Sequence, residues 1–175
     1  IDFYIFSILE VIKISTRSQI EFRTEWKNDK EEKKTERRTV YRHSDGYPKG
    51  VIPDLKEFLK WNKGRNSDTE YQAANFIYWS KRRNEEQFFN KSFMTGKTED
   101  PNKRWSDTGP TNISMLHTGF GVCNNDEFHG DIEYFYEVIS SAENNQNIII
   151  KCYEVGEDKK KKEDFKLLKT IKVKI

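Results

Sequence analysis

From Ser18 to Trp26 the hydrophobic and polar positions alternate, with Ile20, Phe22, Thr24 and Trp26 on one side and Gln19, Glu21, Arg23 and Glu25 on the other. Successive side chains of an extended chain point to opposite faces, so this period of two predicts a half-buried antiparallel strand. Lys27 to Arg38 is almost wholly charged. It has little to bury and predicts a solvated loop or hairpin tip, with Arg38 to Arg42 returning as a second strand.

The spacing then becomes helical. Pro53 suits a first helical turn, Asp54 its positive end, and Ile52, Leu55, Phe58 and Leu59 form one apolar face that Gly64 terminates. Ser67-Asp68-Thr69-Glu70 reads as a capping box opening a second helix. In that helix Tyr71, Ala74, Ile77 and Tyr78 recur at helical spacing, widened by Ala73, Phe76 and Trp79. The stripe predicts a well-buried helix running toward Phe89.

Asn90 to Pro110 gathers Gly96, Pro101, Gly109 and Pro110 among polar residues and predicts a long surface connection. Sheet patterning resumes after Met115, where Gly119 and Gly121 bracket Phe120 ahead of Val122 and Cys123. Asp126 to Asp131 makes a polar turn into a strand over Ile132 to Ile139, and Ile148 to Val155 returns after Asn144 to Asn147. Lys159 to Lys162, flanked by Glu157, Asp158, Glu163 and Asp164, predicts a hairpin tip. Last, Phe165, Leu167, Ile171, Val173 and Ile175 face Lys166, Lys172 and Lys174 across what should be a lysine-studded edge strand. Strand, strand, helix, helix, loop and then three or four antiparallel strands is an α+β layered arrangement with two helices packed on an antiparallel sheet.

Composition alters this picture little. The 175 residues suit one domain, with 1–14 as a possible N-terminal extension and 90–110 as the long loop. Aromatics are 14% of the chain and apolar residues only 34%, so the core must lean on Phe, Tyr and Trp. A net charge of +2, from 31 basic and 29 acidic residues, gives no global field that would demand nucleic acid or an anionic membrane. Two cysteines, Cys123 and Cys152, are too few for a disulfide framework, and a reducing, cytoplasmic setting is the simpler expectation. The apolar run Ile1 to Ile14 is interrupted by Asp2, Glu10 and Lys13 and is too short to span a bilayer, so no membrane partner is expected.

Candidate chemistry gathers in two turn-rich stretches. One is Tyr41 to Gly50, which carries His43 and Asp45; the other holds His117 and the repeated spacing His129-Gly130-Asp131. If a strand continues through His43 and Asp45, both side chains share one face, and the same holds for His129 and Asp131. Should the two stretches converge at one end of the sheet, imidazoles and carboxylates would suit general acid-base hydrolysis or a divalent metal with a bound water. Arg42, Tyr47 and His117 are the accompanying candidates for binding. Against this, Asp-Gly and Gly-Asp are ordinary turn chemistry, and neither His-x-Asp pair matches a zinc signature.

Ser15-Thr16-Arg17-Ser18-Gln19-Ile20, a hairpin, and then Tyr41-Arg42-His43-Ser44-Asp45-Gly46-Tyr47-Pro48-Lys49-Gly50 leading into a helix resemble a family of small bacteriophage and prokaryotic proteins of unassigned activity. These carry a Ser-Thr-Arg-Ser start and a His-x-Asp-Gly-Tyr-Pro turn. The resemblance implies a prokaryotic or viral setting and brings no activity with it. The element order is also similar to that of the N-terminal nucleophile hydrolases, whose chemistry would here require cleavage after Ile14 to free the amine of Ser15. Three function classes follow. The first is a binding or interference module with a protein partner. The second is a small hydrolase at His43, Asp45, His129 and Asp131. The third is a nucleic-acid binder using Lys27 to Arg38 and Lys159 to Lys174.

Overall fold

β1 (Ser18–Lys27) is the strand on which the sheet is built. The computed structural model describes residues 16–94, 119–143, 146–156 and 161–175, the side chains of 84–94 excepted. The expected extension over 1–14, the connection from 95 onward and His117 lie outside these residues. β1 pairs with β2 (Lys33–Arg42) and, on its other side, with β4 (Tyr134–Ser141). β3 (Phe120–Cys123) flanks β2, and β5 (Asn147–Glu154) and β6 (Lys166–Lys174) follow β4, giving the order β3-β2-β1-β4-β5-β6. Every pairing is antiparallel except β1 with β4, which is parallel and makes the sheet mixed.

α1 (Pro48–Trp61) and α2 (Thr69–Met94) cover one face. Ile20, Phe22, Val40, Tyr136, Val138 and Ile150 point toward them and are fully buried, and Phe22 meets Phe58 and Phe76 with ring centroids 5.9 and 5.5 Å apart. Burying each such ring stabilises the fold by roughly 1.5–3 kcal/mol. The α+β layering expected from the sequence is therefore the observed one.

Several local expectations change. Of the two forms expected for the charged run, the hairpin is the observed one, and a longer one than expected: strand pairing continues down to Lys27 opposite Lys33, and only residues 28–32 turn, where Asn28 Oδ1 accepts from the amides of Lys30 and Glu32. Local side-chain bonds to the turn let a polar hairpin close without a core. α1 starts at Pro48 rather than near Pro53, because a proline at the first helical position costs no hydrogen bond. Asp68, not Ser67, caps α2, its Oδ1 accepting from the Tyr71 amide at 3.2 Å. The start of α2 is also turned about its axis relative to expectation. Thr69, Gln72, Ala73, Phe76 and Ser80 are buried, whereas Tyr71 and Tyr78 are 50% and 55% exposed. β4 begins at Tyr134 rather than Ile132. In β6 a bulge opposite Cys152 and Tyr153 shifts the register, so that Leu167 pairs with Tyr153 and leaves the face shared by Ile171 and Val173. A single extra residue reverses the side on which every residue beyond it lies.

Beneath the far face of the sheet lies a smaller aromatic group. Phe128 packs edge-on to Phe135 and Phe165 at 5.3 and 4.9 Å. The segments carrying Phe128 and Phe165 thereby shelter Gln19 and Glu21, which an exposed outer face would have left in water.

Candidate functional site

Parallel pairing of β1 with β4 brings the two His-bearing turns together. β2 runs antiparallel to β1 and ends opposite Ser18, while β4 runs parallel to β1 and starts opposite the same residue. The turn after β2 and the turn before β4 therefore lie at one end of the sheet, on either side of the start of β1. The backbone fastens them there. Gly46 N–H donates to Thr16 O at 2.8 Å and Glu133 N–H to Arg17 O at 3.0 Å. Gln19 reads the second turn from below, its Oε1 accepting from the His129 amide and its Nε2 donating to Glu127 O.

Tyr41 is the centre of the corner and was not among the residues singled out from the sequence. Its ring stacks on that of His129, with centroids 4.6 Å apart and planes 30° apart, and lies 6.1 Å from the ring of His43. Its hydroxyl stands 3.5 Å from His43 Nδ1 and donates to Asp131 Oδ2 at 3.0 Å. Arg17 Nε approaches the same oxygen at 3.0 Å. Partial burial, reinforced by the Asp131 carboxylate, pushes the Tyr41 phenol up to about 12, so it remains a proton donor across the physiological range. The signal that could have found Tyr41 is its position opposite Gln19, on the same face of the sheet.

The other candidates are dispersed. β2 ends at Arg42, so no strand carries His43 and Asp45 onto a common face; Asp45 has a positive φ of 54° and is exposed. Arg42 points to the helical side, where it donates to Ser44 O, pairs with Asp54 at 2.7 Å and lies over Phe120. Arg83 reaches Asp54 from α2. Tyr47 precedes α1 and is 40% exposed. Among the described residues no group of three or more His, Cys, Asp or Glu side chains is placed to hold a metal ion.

Further along the same face lies a second ionisable group that the sequence did not flag. Glu21 and Glu137 are register partners across β1 and β4, only 2% and 1% exposed. Glu137 accepts from Lys162 Nζ and from Tyr153 O–H at 2.5 Å, and pairs with Arg23 at 3.1 Å. Among the described residues Glu21 has the longer approaches of Lys162 and Arg37, both 3.7 Å, and its Oε1 finds no hydrogen-bond partner. Burial therefore pushes the Glu21 carboxyl above its ordinary range, against the attraction of Lys162 and Arg23. Burial also opposes ionisation of Glu137, but the hydrogen bonds from Lys162 and Tyr153 outweigh it and bring that carboxyl below its ordinary range.

The helical layer carries a third feature. Trp61 at the end of α1 and Tyr78 on α2 are 53% and 55% exposed, with ring centroids 6.4 Å apart, and the guanidinium of Arg65 sits 4.4 Å over the ring of Tyr71. Among the described residues no helix is long and apolar enough to cross a membrane. Compared with family models, curated proteins and solved structures, the chain finds no match in any of the three.

Proposed function

We propose that the protein is a binding module, of the accessory or interference kind its phage-like turn motif implies, and that it engages a macromolecular partner through its helical layer. The observation that carries this reading is the presence of Trp61, Tyr71 and Tyr78, each about half exposed, on two helices packed over the Phe22, Phe58 and Phe76 core. Exposed aromatic rings beside arginine, on a pre-organised scaffold, have the composition of binding hot spots. The carboxylates of the far face are instead engaged within the fold, Asp131 by Arg17 and Tyr41 and Glu137 by Lys162, Tyr153 and Arg23.

Affinity capture from a bacterial lysate tests it, with recovery of both proteins and nucleic acids. A species retained by wild type and by the His43→Ala, His129→Ala variant, and lost with Trp61→Ala, Tyr78→Ala, is the expected result. Retention that ignores the aromatic pair and depends on the histidines overturns it.

A second reading is favoured by one specific contact, the placement of Tyr41 between His43 and His129. It is a small hydrolase in which an imidazole acts as acid or base beside Asp131. Hydrolysis of a generic ester or phosphodiester that vanishes in the His43→Ala, His129→Ala variant would select this reading over the first.

A further inference from the structure

We infer that the partner of the helical layer is a single-stranded nucleic acid, its bases stacking on Trp61 and Tyr78 and its phosphates held by Lys60 and Lys63. This names the partner of the binding surface proposed above and rests on that reading.

Charge is the first argument. Lys60 and Lys63 flank Trp61 in sequence, are exposed, and have no ion-pair partner among the described residues. The nearby acids are already engaged: Asp68 by Arg65 at 3.5 Å, and Glu70 by Arg38 from β2. Glu57, one turn before Trp61, is likewise paired with Arg83 at 3.3 Å. Lys60 and Lys63 thus keep charges that no neighbouring acid among the described residues pairs, and these complement an anionic polymer rather than a neutral or basic one.

Ring geometry is the second. Trp61 and Tyr78 are each about half exposed and close together, with centroids 6.4 Å apart and planes inclined by 34°, so open ring surface for stacking bases is concentrated there. Tyr71 stands two turns before Tyr78 on α2 and is already capped by Arg65, whose planar group is itself a stacking surface. Stacking on exposed rings tolerates any base, whereas a duplex hides its base faces, so the preference is for single strands.

The basic stretches first considered for nucleic acid lack this combination. Lys27 to Arg38 spans the β1–β2 turn and the first half of β2, and the lysines of β6 are separated from it by β1, β4 and β5. In the helical layer Lys60 and Lys63, without an ion-pair partner among the described residues, lie within two residues of Trp61.

Fluorescence anisotropy of labelled oligodeoxythymidylate and oligouridylate tests the inference on the full chain. Wild type should bind, with affinity falling steeply between about 50 and 200 mM salt. Trp61→Ala with Tyr78→Ala should weaken binding about tenfold or more. Lys60→Gln with Lys63→Gln, a surface change that spares the core, should flatten the slope of log K against log salt by about 1.4. Circular dichroism confirms that each variant is folded.

Absence of binding by wild type overturns the inference, as does binding that both folded variants retain unchanged. If wild type ignores both oligonucleotides yet captures a protein in a Trp61- and Tyr78-dependent way, the nucleic-acid assignment fails while the binding-module reading stands. If folded variants lacking the rings retain every partner that wild type retains, both fail.

Discussion

Glu21 and Glu137 occupy matched positions on adjacent parallel strands, yet their environments drive their carboxyls in opposite directions. Burial raises both, but Lys162 and Tyr153 hydrogen-bond Glu137, whereas Lys162 stands 3.7 Å from Glu21. A group whose folded pKa is raised contributes stability that is complete below its unfolded pKa and is lost as pH rises through the folded one. Replacing Glu21 by glutamine should therefore raise the unfolding temperature at pH 7, with the gain shrinking as pH falls toward the ordinary glutamate range. A Glu21→Gln protein less stable than wild type at pH 7 would contradict this account.

Glu137 follows the opposite sign. Its folded pKa is depressed, so its contribution is present above the unfolded pKa and is lost as pH falls through the folded value. Lys162→Met should cost about 1–3 kcal/mol at pH 7, since it strips the hydrogen-bond donor from a buried carboxylate that retains Arg23 and Tyr153. Chemical denaturation across pH measures this, and the deficit should narrow in acid.

Asp131 tunes Tyr41. With Asp131→Asn the carboxylate charge is gone, and the Tyr41 phenol should titrate below its value of about 12 while burial still holds it above an ordinary tyrosine. Ultraviolet titration of the variant against wild type reads the shift directly, and an unchanged titration would show that the contact at 3.0 Å is not maintained in solution.

Gly46 is fixed by its neighbours. A Cβ there would lie 2.7 Å from the Arg17 carbonyl carbon and 2.9 Å from the Ser18 nitrogen, both backbone atoms with no room to yield. Gly46→Ala should destabilise by about 1–3 kcal/mol. Tyr136→Phe, which removes the 2.8 Å hydrogen bond to Gly46 O, should cost about 1–2 kcal/mol, as expected when a buried acceptor loses its donor. Thermal unfolding ranks the two.

Strand periodicity exposed β1 in the sequence because Ile20, Phe22 and Thr24 face a core. The convergence of the His43 and His129 turns was conceivable from their shared turn chemistry but hung on a strand direction that no local pattern encodes. The alternation in β4 is the same whichever way it runs beside β1. Tyr71 and Tyr78 misled for a related reason: amphipathic rings satisfy a helical stripe while half in water, and the buried side of α2 includes the polar Thr69, Gln72 and Ser80. Glu21 and Glu137 were hidden because each sits at an outward position of its strand, where a charge is unremarkable until loops close over it. The bulge in β6 falls where the adjacent Leu167 and Leu168, followed by Lys169, break the alternation, a break that the regular Lys172 and Lys174 beyond it obscure.

The pairing of β1 with β4 also sets the order in which the chain can fold. Thr24 and Ser140, which share a 2.9 Å hydrogen bond, are 116 residues apart in sequence. During synthesis the β1–β2 hairpin and both helices can gather around Phe22 long before β4 exists, but one edge of β1 then has no strand beside it. Closing so long a loop is slow, and an open central edge is a template for other chains. Nascent or truncated chains ending before Tyr134 therefore carry the aggregation risk of this fold, which complete chains conceal by placing β4 in that gap.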